Sequence, residues 1–360
     1  MRYPLISADL GKLKHNLDAA AALCHGRGLR FAAVTKGVSA DARIAALLAA
    51  GADMLADSRV QNLARLPQDK PRMLLRIAMP SEAAEAVASA EISLQSEVDT
   101  IARFGREAQR QEKRRRVLLM IDLGDLREGI PFFDTAAIER AAQAVLREPA
   151  LELYGLGANL SCFGGVMADE ENLGWLVAIA ERLRRTFDAP IPLVSGGNSS
   201  SLGLLAEGRM PAGVNHLRLG ESILLGNDTA RCERMEGFCG DVFTLSAELI
   251  EIQRKPSRPI GRIGANAFGE RTAFRDEGEQ LRGILALGRQ DTRAEGLTPL
   301  DADVRVLGAS SDHLIVDLSR TKKGYRVGDI LSFTPDYGAL LGAYTSPYVE
   351  KTWVNTAPEP

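Results

Sequence analysis

A lysine stands at the end of a short apolar run near the start of the chain. The run extends from Leu29 to Val34, and Thr35, Lys36 and Gly37 follow it. Such a run predicts a buried strand of a parallel sheet. Burial disfavours the ammonium form of a lysine, and a neutral amine is what Schiff-base chemistry on an aldehyde requires. A strand-end lysine that reaches solvent is the alternative interpretation.

A second segment has the composition of an anion site. Residues 195–201 contain two glycines, one asparagine and four serines between a predicted strand and a predicted helix. Glycines let the backbone approach an anion closely, and the N–H groups and hydroxyls at the start of a helix suit a phosphate. An ordinary helix-capping loop would also use serine and asparagine, so both interpretations stay open.

Two arginines lie at predicted strand ends. Arg218 is followed closely by Gly220, whose N–H could contact the same anion. Arg127 lies between Gly124 and Gly129 in a loop that suits bidentate recognition of a carboxylate. Structural alternatives are a salt bridge for Arg218 and a turn with local charge pairs for Arg127.

Apolar runs and helical stretches alternate along the first two thirds of the chain. Predicted strands are centred near residues 31, 53, 73, 92, 118, 154, 192 and 216. This alternation predicts a (β/α)8 barrel, with an open doubly wound sheet as the rival. Because the loops after barrel strands open on one face, we expect the candidate side chains to converge there: Lys36, Arg127, Asn159, Asn198 and Arg218.

The pattern changes near residue 240 to short strand-like runs separated by turns. The fold class is therefore α/β, with an N-terminal (β/α)8 TIM-type barrel and a C-terminal β-rich domain. We assign residues 9–235 to the barrel and 236–360 to the β-rich domain. Residues 1–8 are predicted to form a strand that packs with the C-terminal domain, and residues 254–280 an irregular excursion.

Composition excludes several classes of partner. The chain has 44 basic and 47 acidic residues and a net charge of −3, so neither nucleic acid nor an anionic membrane is expected as a partner. Its four cysteines lack zinc-ribbon or C-x-x-C spacing. With no signal-like segment or long apolar run, we expect a cytoplasmic protein.

Together these features resemble the alanine racemase family. The lysine near the start, Asn198-Ser199 before a helix, Arg218 with Gly220, and the β-rich tail carry the resemblance. The chain more closely resembles the ornithine racemase branch of that family, through residues 121–129, 196–200, 308–313 and 345–349. These segments extend across nearly the whole chain.

The resemblance implies a pyridoxal 5'-phosphate enzyme of fold type III that interconverts L- and D-amino acids by two-base α-proton transfer. It also implies a homodimer with active sites at the interface, and ornithine or another basic or small amino acid as substrate. Lys36 would carry the cofactor and serve as a catalytic base, Arg218 would face the pyridine nitrogen, and Arg127 would bind the substrate carboxylate. Further cofactor-binding residues on this basis are Asn159, Asn198, Ser199, Ser200, Gly220, Glu221 and Tyr348.

The chain departs from the family pattern in two places. The Tyr-Gly pair expected shortly after the lysine is absent, so one phosphate ligand is missing. The Gly-Tyr-Ala-Asp stretch that holds the family's second base corresponds to residues 288–291, which contain no tyrosine. We therefore predict that Asp312 or His313 of the β-rich domain supplies the second base, with Ser311 on the substrate side. Arg289, Asp291 and the thiol of Cys162 are the remaining candidates.

Two other functions fit the same fold. A lyase or aldolase acting on D-hydroxy amino acids would add a metal held by His with Cys or Asp. The β-rich domain has one histidine, His313, and one cysteine, Cys239, so no metal is expected. A non-catalytic pyridoxal phosphate carrier resembles the barrel alone, and the additional ~120 residues argue against it.

Overall fold

The computed structural model of the protein describes residues 2–271 and 273–356. These residues form two compact units. Residues 11–240 make up the first unit, and residues 2–10 together with 241–356 make up the second. Strand β1, Leu5–Asp9, begins the chain and belongs to the second unit.

The first unit contains a closed barrel of eight parallel strands. Its strands are β2 (Arg30–Val34), β3 (Met54–Asp57), β4 (Arg72–Leu74), β5 (Ile92–Gln95), β6 (Arg115–Asp122), β8 (Leu151–Gly157), β9 (Leu193–Asn198) and β10 (His216–Leu219), with the two-residue β7 (Ile130–Pro131) paired to β6. The order around the ring follows the chain, and β10 pairs back with β2 to close it. The prediction of a (β/α)8 barrel is confirmed.

Helices connect these strands: α1 (Leu10–His25), α2 (Ala42–Gly51), α3 (Val60–Leu63), α4 (Ala83–Ser89), α5 (Val98–Arg110), α6 (Thr135–Arg147), α7 (Glu170–Phe187), α8 (Leu202–Ala206) and α9 (Glu221–Leu225). Side-chain oxygens of Asp41, Asp134 and Asp169 accept from backbone N–H groups at the starts of α2, α6 and α7. These caps satisfy donors that a helix leaves unpaired. A bilayer-spanning helix is not found within the described residues.

Side chains from alternate strand positions fill the barrel. The cluster comes from seven strands and consists of Ala32, Val34, Met54, Ala56, Met73, Ile92, Leu94, Leu118, Met120, Tyr154 and Leu193. A Cβ at Gly157 would lie 2.9 Å from Leu118 and 3.5 Å from Nη1 of Arg218. Arg218 therefore lies inside the barrel, where a glycine on the facing strand leaves room for its guanidinium.

The second unit is mostly antiparallel sheet. After a two-strand hairpin that ends the first unit, β11 (Asn227–Asp228) and β12 (Glu233–Arg234), its elements are β13 (Phe243–Pro256), β14 (Glu279–Leu285), β15 (Leu297–Pro299), β16 (Arg305–Ala309), β17 (Leu314–Asp317), β18 (Ile330–Pro335), α10 (Tyr337–Thr345) and β19 (Glu350–Val354). Strand β1 pairs antiparallel with β13 and parallel with β19. The C-terminal domain is β-rich as predicted, although β15, α10 and β19 were not predicted.

The loop that carries Arg127 depends on Gly129, and this generates a prediction. Gly129 has φ +129°, and a Cβ there would lie 2.5 Å from the backbone nitrogen of Asp122. Gly124, in the same loop, has φ +111° but nothing within 4 Å of the added carbon. Both alanine substitutions meet backbone strain, whereas only Gly129→Ala also collides with β6. We expect Gly129→Ala to be less stable than Gly124→Ala by about 1–3 kcal/mol.

Urea denaturation of the two variants alongside the parent protein measures this difference. Equal losses of stability would show that the approach to Asp122 relaxes at no cost.

Candidate active site

Lys36 begins a short 3-10 turn directly after β2. The preceding residue, Thr35, is buried and donates its hydroxyl to Oδ2 of Asp57 at 2.7 Å. The other oxygen of Asp57 accepts from the Arg59 N–H and from the Asn62 amide, each at 3.0 Å. The backbone that presents the lysine is thus tied to the end of β3.

The environment of Lys36 favours its neutral form. Burial lowers the pKa of the amine, and the nearby Arg127 lowers it further. Cys162, Asp57 and Glu128 act in the opposite direction. Among the described residues the amine has no hydrogen-bond or ion-pair partner, so it is available to a ligand.

Arg218 is a buried cation on the strand beside the lysine. Its position on β10 pairs with Ala32 of β2, four residues before Lys36. The Nη2 atom donates to the Ala158 carbonyl at 2.6 Å and to Oδ1 of Asn159 at 2.7 Å, and Nη1 donates to the Ser195 hydroxyl. Burial lowers the pKa of Arg218 to about 10. The guanidinium therefore remains charged near neutral pH.

His216, two residues before Arg218 on β10, is also buried. Nδ1 of His216 lies 2.9 Å from the Ser195 hydroxyl, while Nε2 is buried and has no hydrogen-bond partner among the described residues. Burial, together with the charge of Arg218, holds the pKa of His216 well below its usual value. His216 is therefore neutral in the folded protein.

Arg127 is engaged by the residue that follows it. Its Nε and Nη2 atoms pair with the two carboxylate oxygens of Glu128, with Nη2 at 2.7 Å from Oε1. The Asn159 amide also donates to Oε1 of Glu128. The local charge pair considered from the sequence is present, and it leaves the outer edge of the guanidinium, Nη1 and Nη2, for a ligand.

The serine-rich segment forms a cluster of hydroxyl and N–H groups with the loop after β10. The buried Ser199 hydroxyl accepts from the N–H groups of Gly220 and Ser222, both at 3.1 Å. Asn198 caps the following turn by accepting from the N–H of Ser200 at 2.8 Å. Glu221 is the first residue of α9 and is half-buried. The ends of β9 and β10 thus bring donors to one place, as a phosphate requires.

The remaining predicted residues lie in the second unit. Ser311, Asp312 and His313 form the turn between β16 and β17, and both Asp312 and His313 are exposed. Asp312 accepts from the Gln290 amide at 2.7 Å. The N–H of Gln290 also donates to the Ser311 carbonyl at 3.1 Å. The two segments considered for the second base, 288–291 and 310–313, are therefore adjacent.

The structure weakens two of the alternative bases. Arg289 is paired with Glu270 at 3.1 Å, and this bond raises its pKa further above the neutral range. Asp291 is buried and accepts from the Gly288 N–H and the Ser346 hydroxyl, both at 3.0 Å, which is a structural role. Tyr348 follows on the same segment, and its side chain is exposed.

Three contributors to the barrel site were missed in the sequence. His216 could have been found from strand alternation, because His216 and Arg218 occupy the same face of β10, whereas Ser195 lies on the neighbouring strand β9. Glu128 is adjacent to Arg127, but sequence gave no sign that it also contacts Asn159. Cys162, named only as a reserve base, has its sulfur 3.3 Å from the Asn198 amide nitrogen and is exposed. No cluster of three His, Cys, Asp or Glu suited to a metal is found in the described part of the chain.

Comparison with known proteins identifies the family. Residues 8–228 match the family described as "Alanine racemase, N-terminal domain". The chain belongs to the alanine racemase family. It is 43% identical to ornithine racemase of Acetoanaerobium sticklandii, over 97% of this chain and 99% of that protein. It is 35% identical to lysine racemase of Thermotoga maritima, over 98% and 99% respectively.

Solved structures of alanine racemase family proteins share the fold at low identity. Alanine racemase from Bartonella henselae, with covalently bound pyridoxal phosphate, superposes with a TM-score of 0.71 at 16% identity, covering 97% of this chain and 99% of that one. D-threonine aldolase from Filomicrobium marinum has a TM-score of 0.73 at 15% identity, covering 96% and 89%. The same architecture therefore serves more than one reaction, and the site residues must decide the chemistry.

The burial of neutral His216 predicts how the free energy of unfolding changes as the pH falls. Its pKa is lowered on folding, so below about pH 6.5 the unfolded chain takes up a proton that the folded protein does not. Stability is therefore lost as the pH falls, by about 2 kcal/mol at pH 5 for this residue. We expect His216→Gln to lose less stability than the parent protein between pH 7.5 and pH 5.

Denaturant unfolding of the cofactor-free protein at both pH values measures this effect. His15→Gln, in a half-buried position on α1, controls for loss of a histidine as such. A parallel decline in the parent and His216→Gln would mean that His216 takes up its proton in the folded state.

Proposed function

We propose that the protein is a pyridoxal phosphate-dependent racemase that interconverts the L and D forms of ornithine or a similar basic amino acid. The observation that carries this proposal is the full-length 43% identity to a relative named ornithine racemase. The relative named lysine racemase, matched over 98% of the chain, supports a substrate with an amine in its side chain.

The residues of the barrel fit pyridoxal phosphate. Lys36 offers an amine whose pKa is lowered by burial, as covalent attachment to an aldehyde requires. The phosphate is proposed to bind where the Ser199 hydroxyl accepts from the N–H groups of Gly220 and Ser222, with Asn198, Ser200 and Glu221 as neighbours. The donors of Arg218 and Asn159 suit the ring. Tyr348 is proposed as a further ligand from the second unit.

Each residue then has a defined task. Pyridoxal phosphate, when bound, supplies the electron sink that makes the α-proton of an amino acid removable. Lys36 holds and moves that proton on one face of the substrate. Arg127 binds the substrate carboxylate with the outer edge of its guanidinium, because Glu128 covers the other edge. Arg218, charged and buried, presents a donor to the ring nitrogen.

The second face needs a base, and we propose that the turn at 310–313 supplies it. Asp312 and His313 are exposed and can exchange protons with a ligand. The other two candidates of that region, Arg289 and Asp291, are held in an ion pair and in a buried structural role. Ser311 is proposed to contact the substrate.

The assembly and compartment are also proposals. We propose a homodimer with its active sites at the interface, by resemblance to the family, and light scattering would measure its mass. A cytoplasmic location is supported by the four cysteines, all of which are free.

The proposed function predicts a covalent adduct and a racemisation activity. Borohydride reduction of the cofactor-loaded protein followed by peptide mapping should place the label on Lys36. Chiral chromatography should show L-ornithine converted to a mixture of enantiomers, with lysine also accepted and alanine turned over far more slowly. Because the Lys36 amine is proposed to carry the cofactor and to move the α-proton, Lys36→Ala should lose both label and activity.

Lys14→Ala, on the exposed face of α1, is the control for loss of a lysine. A label on another lysine would contradict the cofactor assignment. Turnover of alanine at the same rate as ornithine would contradict the assigned substrate class.

The second base makes a directional prediction. With the base opposite Lys36 removed, exchange of the α-proton with deuterated solvent should continue for the enantiomer that Lys36 deprotonates and fail for the other. We expect His313→Asn or Asp312→Asn to show this asymmetry, measured by NMR on each enantiomer. Asp303→Asn, in the exposed turn before β16, is the control.

Wild-type exchange of both enantiomers in both variants would place the base elsewhere. Cys162→Ser would then be the next variant to test, because its sulfur lies beside Asn198 in the barrel.

A further inference from the structure

A continuous chain of contacts joins the two arginines of the barrel site. Arg127 pairs with Glu128, Glu128 accepts from the Asn159 amide, and Asn159 accepts from Arg218 at 2.7 Å. Arg127 lies in the loop after β6 and Arg218 on β10, and the two have no direct contact among the described hydrogen bonds and ion pairs. Glu128 is thus the point where two cationic groups with separate tasks are connected.

The geometry of Glu128 suits a positioning role and leaves it little capacity for a ligand. One carboxylate oxygen accepts from Arg127 Nε, and the other accepts from both Arg127 Nη2 and Asn159 Nδ2. Its side chain is only 20% exposed. A carboxylate with both oxygens engaged this way fixes the orientation of its partners, since a side-on pair restricts the guanidinium plane.

The orientation of Asn159 depends on the same carboxylate. An asparagine side chain has one accepting and one donating end, and here the accepting end faces Arg218 while the donating end faces Glu128. A negatively charged acceptor is what holds the donating end in that direction. Without it, the amide could turn and place its NH2 group toward the Arg218 cation, which would break the bond to Arg218.

We propose that Glu128 is a positioning residue that holds the edge of Arg127 toward the substrate carboxylate and, through Asn159, sets the position of Arg218 at the cofactor. This inference rests on the proposed function and extends it, because it connects the substrate-binding end of the site to the cofactor-binding end. A substitution at Glu128 should therefore affect cofactor binding even though Glu128 is assigned no contact with the cofactor.

The test is a double-mutant cycle read in cofactor affinity. Dissociation constants for pyridoxal phosphate are measured by equilibrium dialysis on the cofactor-free forms of the parent, Glu128→Gln, Arg127→Leu and the double variant. We expect Glu128→Gln to weaken binding about tenfold, or about 1.4 kcal/mol. Because both substitutions disrupt one chain of contacts, the double variant should bind within about twofold of Glu128→Gln.

Two further variants test whether the contacts of Glu128 with Arg127 and Asn159, or only its negative charge, affect cofactor binding. Glu128→Asp keeps the charge, but its side chain is one methylene shorter and cannot reach both Arg127 and Asn159, so it should behave like Glu128→Gln. Glu152→Gln removes the carboxylate from another arginine pair, Arg116–Glu152, at the other end of the barrel strands. It should bind the cofactor within twofold of the parent.

The outcomes are decisive in both directions. Parent-like affinity in Glu128→Gln, recovery of affinity in Glu128→Asp, or additive effects of the two substitutions would each overturn the connection. Failure of the parent protein itself to bind pyridoxal phosphate would refute the proposed function instead. In that case the same cycle, read in the free energy of unfolding of the cofactor-free protein, still decides whether Glu128 couples the two side chains.

Discussion

The fold accommodates a buried guanidinium in the middle of a parallel barrel, and much of the site depends on that charge. An isolated cation in such a place would be very unfavourable, so it must be compensated by well-placed acceptors. Arg218 has three: the Ala158 carbonyl, the Asn159 side chain and the Ser195 hydroxyl. Ser195 lies on β9, the neighbour of β10 in the ring, and Ala158 and Asn159 lie in the loop after β8, the next strand round. Glycine at position 157 keeps the facing wall open for the side chain. The barrel therefore supplies both the acceptors and the space that this charge requires.

The same burial has different consequences for the two cationic side chains of the site, Lys36 and Arg218. It lowers the pKa of Lys36 and of Arg218 alike, because in both the charged form loses hydration. The usual pKa of an arginine is so high that Arg218, with its pKa lowered to about 10, is still charged at neutral pH. The usual pKa of a lysine is lower, so burial brings Lys36 closer to the neutral amine that nucleophilic chemistry needs. The same burial thus leaves a permanent cation on β10 and a lysine with a lowered pKa just beyond the end of β2.

The sequence predicted the parts of this site that depend on local pattern. The apolar strands that end just before Lys36 and just before Gly220 could be recognised from their composition. The repeated alternation of such strands with helices predicted the barrel. Ser195 was missed because its importance depends on which residue lies opposite on the next strand, and pairing register is a tertiary property. The same limit applies to β19, whose partner β1 lies at the other end of the chain. Contacts between distant segments could not be obtained from one sequence without an alignment.

The balance of charge indicates what kind of ligand the barrel site is built to hold. Lys36, Arg127 and Arg218 bring three basic groups to one end of the barrel, and Glu128 and Asp57 are the carboxylates within electrostatic range of Lys36. Burial also raises the pKa of Asp57. Glu128 pairs with Arg127, whereas the described acceptors of Arg218 are all uncharged. A ligand bearing a phosphate, together with a substrate bearing a carboxylate, would add negative charge to this region, and loading the site should then stabilise the barrel.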